Sequence, residues 1–466
     1  MKKLAFSLTK RYINWFSRKE MTKKRILVLG GGFAGIECTR KLESYFKHNS
    51  DVEIVLVSED NFLLFTPMLP QVASGMIETR HIIIPTRTIL KKTIFYESRV
   101  KNIDPYGKYV SLYGTNEKRG ITLQYDYLVI ALGSQTNFFG NKSVENNAYT
   151  MKSLNDAVVL RNRIIDMLEQ AENETDPILR QSLLTFVIVG AGFAGIETAG
   201  ELNDFLFDAK KHYPNISGKE IRVVVLEALP EVLPGFSESL ARFTKDKLIQ
   251  RGIEIMLKTI VVSFDGSEVL IKDASNKTAT DDVNSIQTKT LVWTAGVTPV
   301  DTIKNSLFKT DRGKVIVNEY LEVPEFPGVF VIGDCSLTID PKTNKPYPPT
   351  AQNAEGEARI AAHNLYATTT RKQKQKINYE SKGQMAIIGK RTAIASVYGI
   401  NIHGIIAWWI WRTVYLRKIP KLNKRLRILL DWFADLIFDR DISRLKILRK
   451  DQPMDYKELD EVDDVW

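Results

Sequence analysis

The chain has little cysteine. Cys38 and Cys335 are the only two among 466 residues, and no C-x-x-C occurs. That excludes a disulfide-stapled fold and a vicinal dithiol of the kind thiol–disulfide chemistry needs. Both cysteines are expected as small buried apolar residues. Five histidines show no ligand spacing, so no metal site is expected. No apolar run reaches the roughly 18–20 residues that cross a bilayer. The longest, IIAWWIW (405–411), stops at Arg412. The stretch MKKLAFSLTKRYINWFSRKE (1–20) is basic and lacks the apolar core of a secretory signal. It is either a leader before a domain starting near Met21 or a surface anchor, with Leu4, Leu8, Tyr12, Trp15 and Phe16 on one helical stripe. No nucleic-acid motif is present.

Positive charge is plentiful and unevenly placed. The net charge is +10, yet residues 451–466 hold seven acids against Lys457 alone, so the rest of the chain carries +16. Twelve Lys and Arg lie within 403–450, interleaved with Trp408, Trp409, Trp411, Trp432 and Phe433. Aromatics suit a headgroup boundary, and bases meet anionic lipid. A dimerising or core-packed helix pair explains the same pattern.

The chain also repeats itself. ILVLGGGFAGIE (26–37) and FVIVGAGFAGIE (186–197) are nearly one sentence written twice. Each opens with an apolar, β-branched run suited to a strand buried on both faces. Each continues G-x-G-x-x-G: Gly30, Gly32 and Gly35, then Gly190, Gly192 and Gly195. The glycines allow a tight turn, close approach of backbone to a pyrophosphate, and close helix–strand packing. The helix that follows presents its positive end to the phosphates. An acid ends the next strand in both copies. VEIVLVSED (52–60) ends near Ser58 and Glu59, and IRVVVLEAL (221–229) reaches Glu227. A carboxylate there accepts from ribose hydroxyls and repels a 2′-phosphate, so Glu227 favours NADH over NADPH. Two dinucleotide sites in one chain point to a hydride donor and a bound acceptor, NADH and FAD. YDYLVIALGS (125–134) and LVWTAGVTP (291–299) read as crossovers between the two halves, and PGVFVIGDC (327–335) as a strand delivering Asp334 to a flavin's ribityl chain.

These motifs resemble the two-dinucleotide-binding-domain flavoproteins, and among them the type II NADH dehydrogenases, single-subunit NADH:quinone oxidoreductases. NFLLFTPMLPQVASG (61–75), PPTAQNAEGEA (348–358), KGQMAIIGKRTAIA (382–395) and the stretch 404–432 carry the resemblance further. It implies an α/β fold of two Rossmann-like domains, for FAD and NADH, with a C-terminal membrane-binding amphipathic helical module. The expected boundaries are 22–145 and 300–378 for the FAD domain, 146–299 for the NADH domain, 379–450 for the anchor and 451–466 for an acidic tail. Within this, 364–378 reads as a polar surface linker. The lack of a cysteine pair argues against sulfide or disulfide as substrate, and the remaining alternative is a membrane-surface NADH-sensing flavoprotein.

The resemblance also supplies site residues. For FAD it implies Gly30, Gly32, Phe33, Ala34, Gly35, Ser58 or Glu59, Thr66, Pro67, Val100, Ala131, Gly133, Asp334 and Ala351. For NADH it implies Gly190, Gly192, Phe193, Ala194, Gly195, Glu227, Ala295 and Gly296. Glu197 matches a family glutamate beside nicotinamide and quinone, and Ala351-Gln352 an Ala-Gln pair under the flavin ring. Glu197 and Gln352 are the catalytic candidates, Gln352, Ala351 and Lys390 the candidates for the quinone, and Trp408, Trp409, Trp411, Arg412 and Trp432 those for the membrane. The reading is a non-pumping enzyme with non-covalent FAD, peripheral on the cytoplasmic face of an anionic membrane, working as a homodimer.

Overall fold

The computed structural model describes residues 23–114, 120–275 and 283–444. The 1–20 stretch and the acidic tail lie outside the described residues. In chain order the elements that position the site are β1 (Lys24–Leu29), α1 (Phe33–Tyr45), β2 (Val52–Ser58), α2 (Leu69–Ala73), β3 (Ile94–Glu97), β4 (Tyr127–Ile130), α3 (Leu154–Asn173), β5 (Thr185–Val189), α4 (Phe193–Ala209), β6 (Arg222–Leu226), β7 (Ile253–Met256), β8 (Thr290–Trp293), β9 (Val329–Val331), α5 (Ala351–Thr370), β10 (Gly383–Gly389), β11 (Thr392–Val397), β12 (Ile400–Gly404), α6 (Ile405–Lys418) and α7 (Leu422–Ile437).

Two five-stranded sheets dominate. The first runs β9-β4-β1-β2-β3, and the second runs Tyr149–Thr150, β8, β5, β6, β7; every pairing in both is parallel. β1 and β5 sit inside their sheets, and Ile26 through Leu29 and Phe186 through Ile188 are fully buried. This is why both sequences are continuous rather than alternating apolar runs. Leu29 pairs with Val57, and Val189 with Leu226, so each glycine loop leaves at the carboxyl end of its sheet. The first sheet is closed on one face by α1 and α5. Ala354, Ala358, Ala361 and Ala362 are buried on α5, and such small side chains allow close packing against Ile36, Cys38 and Leu42 of α1.

The two halves are joined by two crossings. Strand Ser134–Thr136 leaves the first half, Val297–Pro299 returns to it, and the two pair antiparallel. The return delivers β9, which sits beside β4 in the first sheet.

The C-terminal module is an antiparallel sheet, β10-β11-β12, followed by α6 and α7. β10 lies along α4 so closely that a Cβ on Gly200 would come 2.4 Å from Ile388 O. Trp408, Trp411 and Trp432 are buried in one cluster with Phe186, Ile196 and Phe205 of the second domain. Arg412 is buried too, its guanidinium 3.7 Å from the Trp408 ring and 4.6 Å from the Trp432 ring. Stacking on two indoles compensates part of its desolvation. These four residues are therefore core, not membrane contacts, and only Trp409 of the five is exposed.

The expected linker also begins later. α5 continues through Thr370, with Asn364 and Leu365 fully buried, and ends where Arg371 takes a left-handed conformation, φ 57°. Residues 364–370 are polar because their side chains bond the helix and its neighbours, as when Asn364 Nδ2 donates to Tyr320 O and Gln375 O.

Candidate active site

The three glycines of each loop do different work. Gly30 has φ 104°, and a Cβ there would meet Ala131 O at 2.1 Å. A Cβ on Gly35 or Gly195 would stand 1.8 or 1.7 Å from the carbonyl oxygen of Gly30 or Gly190, so α1 and α4 pack against their loops only with glycine there. Gly32 and Gly192 face open space, with nothing within 4 Å of an added Cβ. They border the room a phosphate would occupy.

Beside the first loop runs a cleft of about 290 Å³. Gly30, Gly32, Phe33, Ser58, Glu59, Thr66, Val100, Ala131 and Gly133 line it. Ser58 is buried under the loop, whereas Glu59 is at the rim, 3.8 Å from Arg99. Asp60 lines the same cleft, and burial beside Glu59 raises its carboxyl above the usual range. Asp334 borders an adjoining crevice with Gly333 and Thr350. Along this wall the chain sets open glycine at Gly32 and acids at Glu59 and Asp60, with Asp334 in the separate crevice.

The crevice adjoins a cleft of about 780 Å³, lined from three directions. Thr66, Pro67, Ala351 and Gln352 come from the first half, Phe193, Ala194, Glu197 and Gly296 from the second, and Met385 and Tyr415 from the C-terminal module. Thr350 caps α5 by accepting from Asn353 N, so Ala351 and Gln352 form the first turn, whose positive dipole end opens on the cleft. Gln352 Nε2 donates to Ser381 Oγ at 3.0 Å.

Glu197 is buried at the wall of this cleft. Burial pushes its carboxyl up to about 8, against the partial pull of the Ile387 N–H, which donates to it at 3.1 Å. One turn on, Glu201 is buried as well, accepting from Ser74 Oγ at 2.9 Å and 3.6 Å from Arg440. Glu37, the counterpart of Glu197 in the internal repeat, behaves differently. It accepts from Arg40 and Arg359 near the surface, as a structural acid.

Glu227 ends β6 with both carboxylate oxygens engaged. One accepts from Ala191 N at 2.5 Å inside the second loop, the other from Leu229 N at 2.9 Å. Ala295 backs that loop: a Cβ on Gly190 would come 3.0 Å from Ala295 Cα. Lys390 is not at the cleft. Its backbone N donates to Asp204 and its Nζ is 3.7 Å from Asp208, both beyond Glu197 on α4. Asp208 lies eleven residues along, about 16 Å at helical rise. β10 carries Met385 at the cleft end and Lys390 at the other.

Several lining residues went unremarked in the sequence. Tyr415 and Lys418 belong to a helix read as lipid-facing, and Trp293 and Lys152 to a crossover and a helix lead-in. The Ser153…Asp156 spacing is a capping-box signature that marks the turn carrying Lys152. Neither cysteine is available for redox chemistry. Both are fully buried, and burial pushes the Cys335 thiol up to about 12.

Two dinucleotide folds whose crossovers meet at one cleft define a pyridine-nucleotide flavoprotein. Residues 24–358 match the family model of the pyridine nucleotide-disulphide oxidoreductases, and 381–441 match the NDH2 C-terminal domain. The chain is 32% identical over 432 residues to the type II NADH:quinone oxidoreductase Ndh of Mycobacterium tuberculosis, covering 90% of this chain and 89% of that one. It is 30% identical to an external alternative NADH-ubiquinone oxidoreductase of Yarrowia lipolytica mitochondria, covering 91% and 81%. A solved NDH2 of Plasmodium falciparum in complex with NADH superposes with a TM-score of 0.83 at 22% identity, covering 90% and 100%. A sulfide:quinone oxidoreductase of Aquifex aeolicus shares the fold at a TM-score of 0.68 and 17% identity, covering 91% and 100%. The chain belongs to the type II NADH:quinone oxidoreductases.

Proposed function

We propose that the chain oxidises NADH with a membrane quinone, without pumping protons, using a non-covalent FAD. One observation carries this reading: a single cleft is lined by the flavin half, the nicotinamide half and the C-terminal module. FAD, when bound, takes up the hydride of NADH and returns its two electrons to the quinone. The hydride brings one proton and the quinol needs two, so one more comes from solution.

The side chains bind, orient and supply the proton. Gly32 and Gly192 admit the two pyrophosphates, and Asp334 holds the ribityl end. Glu227 keeps the second loop shaped for a 2′-hydroxyl and repels a 2′-phosphate. Glu197, neutral below about pH 8, has a proton to give at the cleft wall. Gln352 is an amide donor for a quinone carbonyl, and Ala351 leaves the ring room. The alternative substrates, sulfide and disulfides, need an accessible thiol pair, and the two buried cysteines do not supply one.

α6 and α7 suit a monotopic surface anchor. Ile405, Ile406, Trp409, Leu426, Leu430 and Phe433 are exposed on them, apolar side chains that an interfacial helix would bury in lipid. No helix among the described residues is long and apolar enough to cross a membrane. The basic residues contribute less than their number suggests. Lys421 and Lys424 donate to Thr88 O and Arg80 O, Arg425 to Ile419 O, and Arg412, Arg440 and Arg444 are buried or paired. Apolar burial therefore outweighs anionic attraction in this reading. We assign the enzyme to the cytoplasmic face, where NADH is made, and to a homodimer. The edge strand β12, with Ile400 exposed, suits a contact between copies.

The test uses purified full-length protein in liposomes containing a long-tailed quinone. It should oxidise NADH at the expense of quinone and be inert toward sulfide and disulfides. Turnover of sulfide with quinone would overturn the assignment.

A further inference from the structure

Three segments meet at Lys152. This lysine stands one residue before the Ser153 cap of α3, and Asp156 accepts from the backbone N–H of both, so its position is fixed. Its Nζ donates to Ser134 Oγ at 2.7 Å. Ser134 Oγ donates in turn to Asp334 Oδ2 at 2.6 Å, and Lys152 Nζ is 3.9 Å from that same oxygen. Ser134 begins the outbound crossing and opposes Pro299 on the return crossing. Asp334 belongs to the returned flavin half. From the other side, buried Glu357 of α5 accepts from Gly333 N at 2.6 Å and holds the turn that carries Asp334. The Lys152 side chain lines the large cleft, and partial desolvation there lowers its ammonium's affinity for the proton, against the support of Asp334.

We propose that Lys152 is a positioning residue for FAD: through Ser134 it sets the Asp334 carboxylate, and its ammonium offsets the negative charge that a hydride brings to the flavin. The proposal rests on the reading that Asp334 faces FAD. A carboxylate beside a phosphate-bearing cofactor is repulsive unless oriented and compensated, and the Lys152–Ser134 pair does both. Two-electron reduction adds negative charge to the flavin, and a fixed cation nearby favours the reduced form over the oxidised one.

The experiment prepares apo-protein of wild type and Lys152→Met and titrates each with FAD. It then measures the two-electron potential of the bound flavin by dye equilibration. Losing a charge-assisted network should weaken oxidised FAD binding about tenfold or more. Reduced FAD should lose about a further tenfold, which by the thermodynamic cycle lowers the potential by about 30 mV. Lys152→Arg, which keeps the charge, should restore the potential. Unchanged affinity and potential in a folded Lys152→Met overturn the proposal. So does weaker binding with an unchanged potential, the result a merely structural lysine gives. If Lys152→Met does not fold, Ser134→Ala decides: FAD affinity must fall by a similar factor, and unchanged affinity overturns the idea. If Asp334→Ala binds FAD as tightly as wild type, the reading of Asp334 fails instead, separately from the role of Lys152.

Discussion

Glu227, expected as a ribose ligand, is also bonded to the second glycine loop and to Leu229 N. Because Ala191 N and Leu229 N both donate to it, Glu227→Ala should loosen the loop and remove the repulsion of a 2′-phosphate together. The ratio of kcat/KM for NADH over NADPH should fall about tenfold or more, read by steady-state kinetics with a soluble acceptor. Glu197 is the residue whose environment sets a pH dependence. The unfolded chain ionises it near 4.5 and the folded one at about 8. Its contribution to stability is therefore complete below pH 4.5 and is lost as pH rises through about 8. Electron delivery to quinone should likewise slow above about pH 8. In Glu197→Gln it should be roughly a hundredfold slower and flat across that range, while flavin reduction by NADH is nearly unchanged. Gln352→Ala should slow reoxidation by quinone with little effect on reduction by NADH. At this scale the sequence was informative where a motif fixed the backbone. The glycines, Ser58, Glu197, Glu227 and Asp334 all line or support the clefts. Lys390 misled because a strand's two ends lie far apart, which its motif does not show.

The elements divide by how local their signal is. The two glycine loops carry their strand, turn and helix within a dozen residues, and both are found where the repeat put them. α6 and α7 carry an ambiguous signal, because a tryptophan facing lipid and one facing core look alike in a sequence. Trp408, Trp411 and Trp432 are buried in one cluster with Phe186 and Phe205, residues some two hundred positions earlier. Trp432→Ala should cost about 3–5 kcal/mol, measured by chemical denaturation of the holoenzyme, since it removes a buried indole and one face of the Arg412 sandwich. The same burial bears on truncation. Cutting the chain near residue 400 would strip Trp411, Tyr415 and Trp432 from the core beside Glu197, so it is no neutral way to remove an anchor. Leu430→Glu with Phe433→Glu changes only exposed positions. That pair should abolish flotation with vesicles and spare NADH oxidation by ferricyanide. Raising salt should weaken wild-type binding only modestly, because so many of the bases are internally bonded.

For the whole molecule, the duplicated dinucleotide fold explains the division of labour. In the proposed function one copy holds FAD and the other presents NADH, and the third module supplies a wall of the large cleft. The claim that the cleft serves two substrates in turn is tested most directly by anaerobic stopped-flow spectroscopy of the full chain. NADH should bleach the flavin spectrum, and a quinone mixed next should restore it at a rate that accounts for turnover. A flavin that NADH reduces but quinone does not reoxidise, or reoxidises far more slowly than the enzyme turns over, would contradict the account.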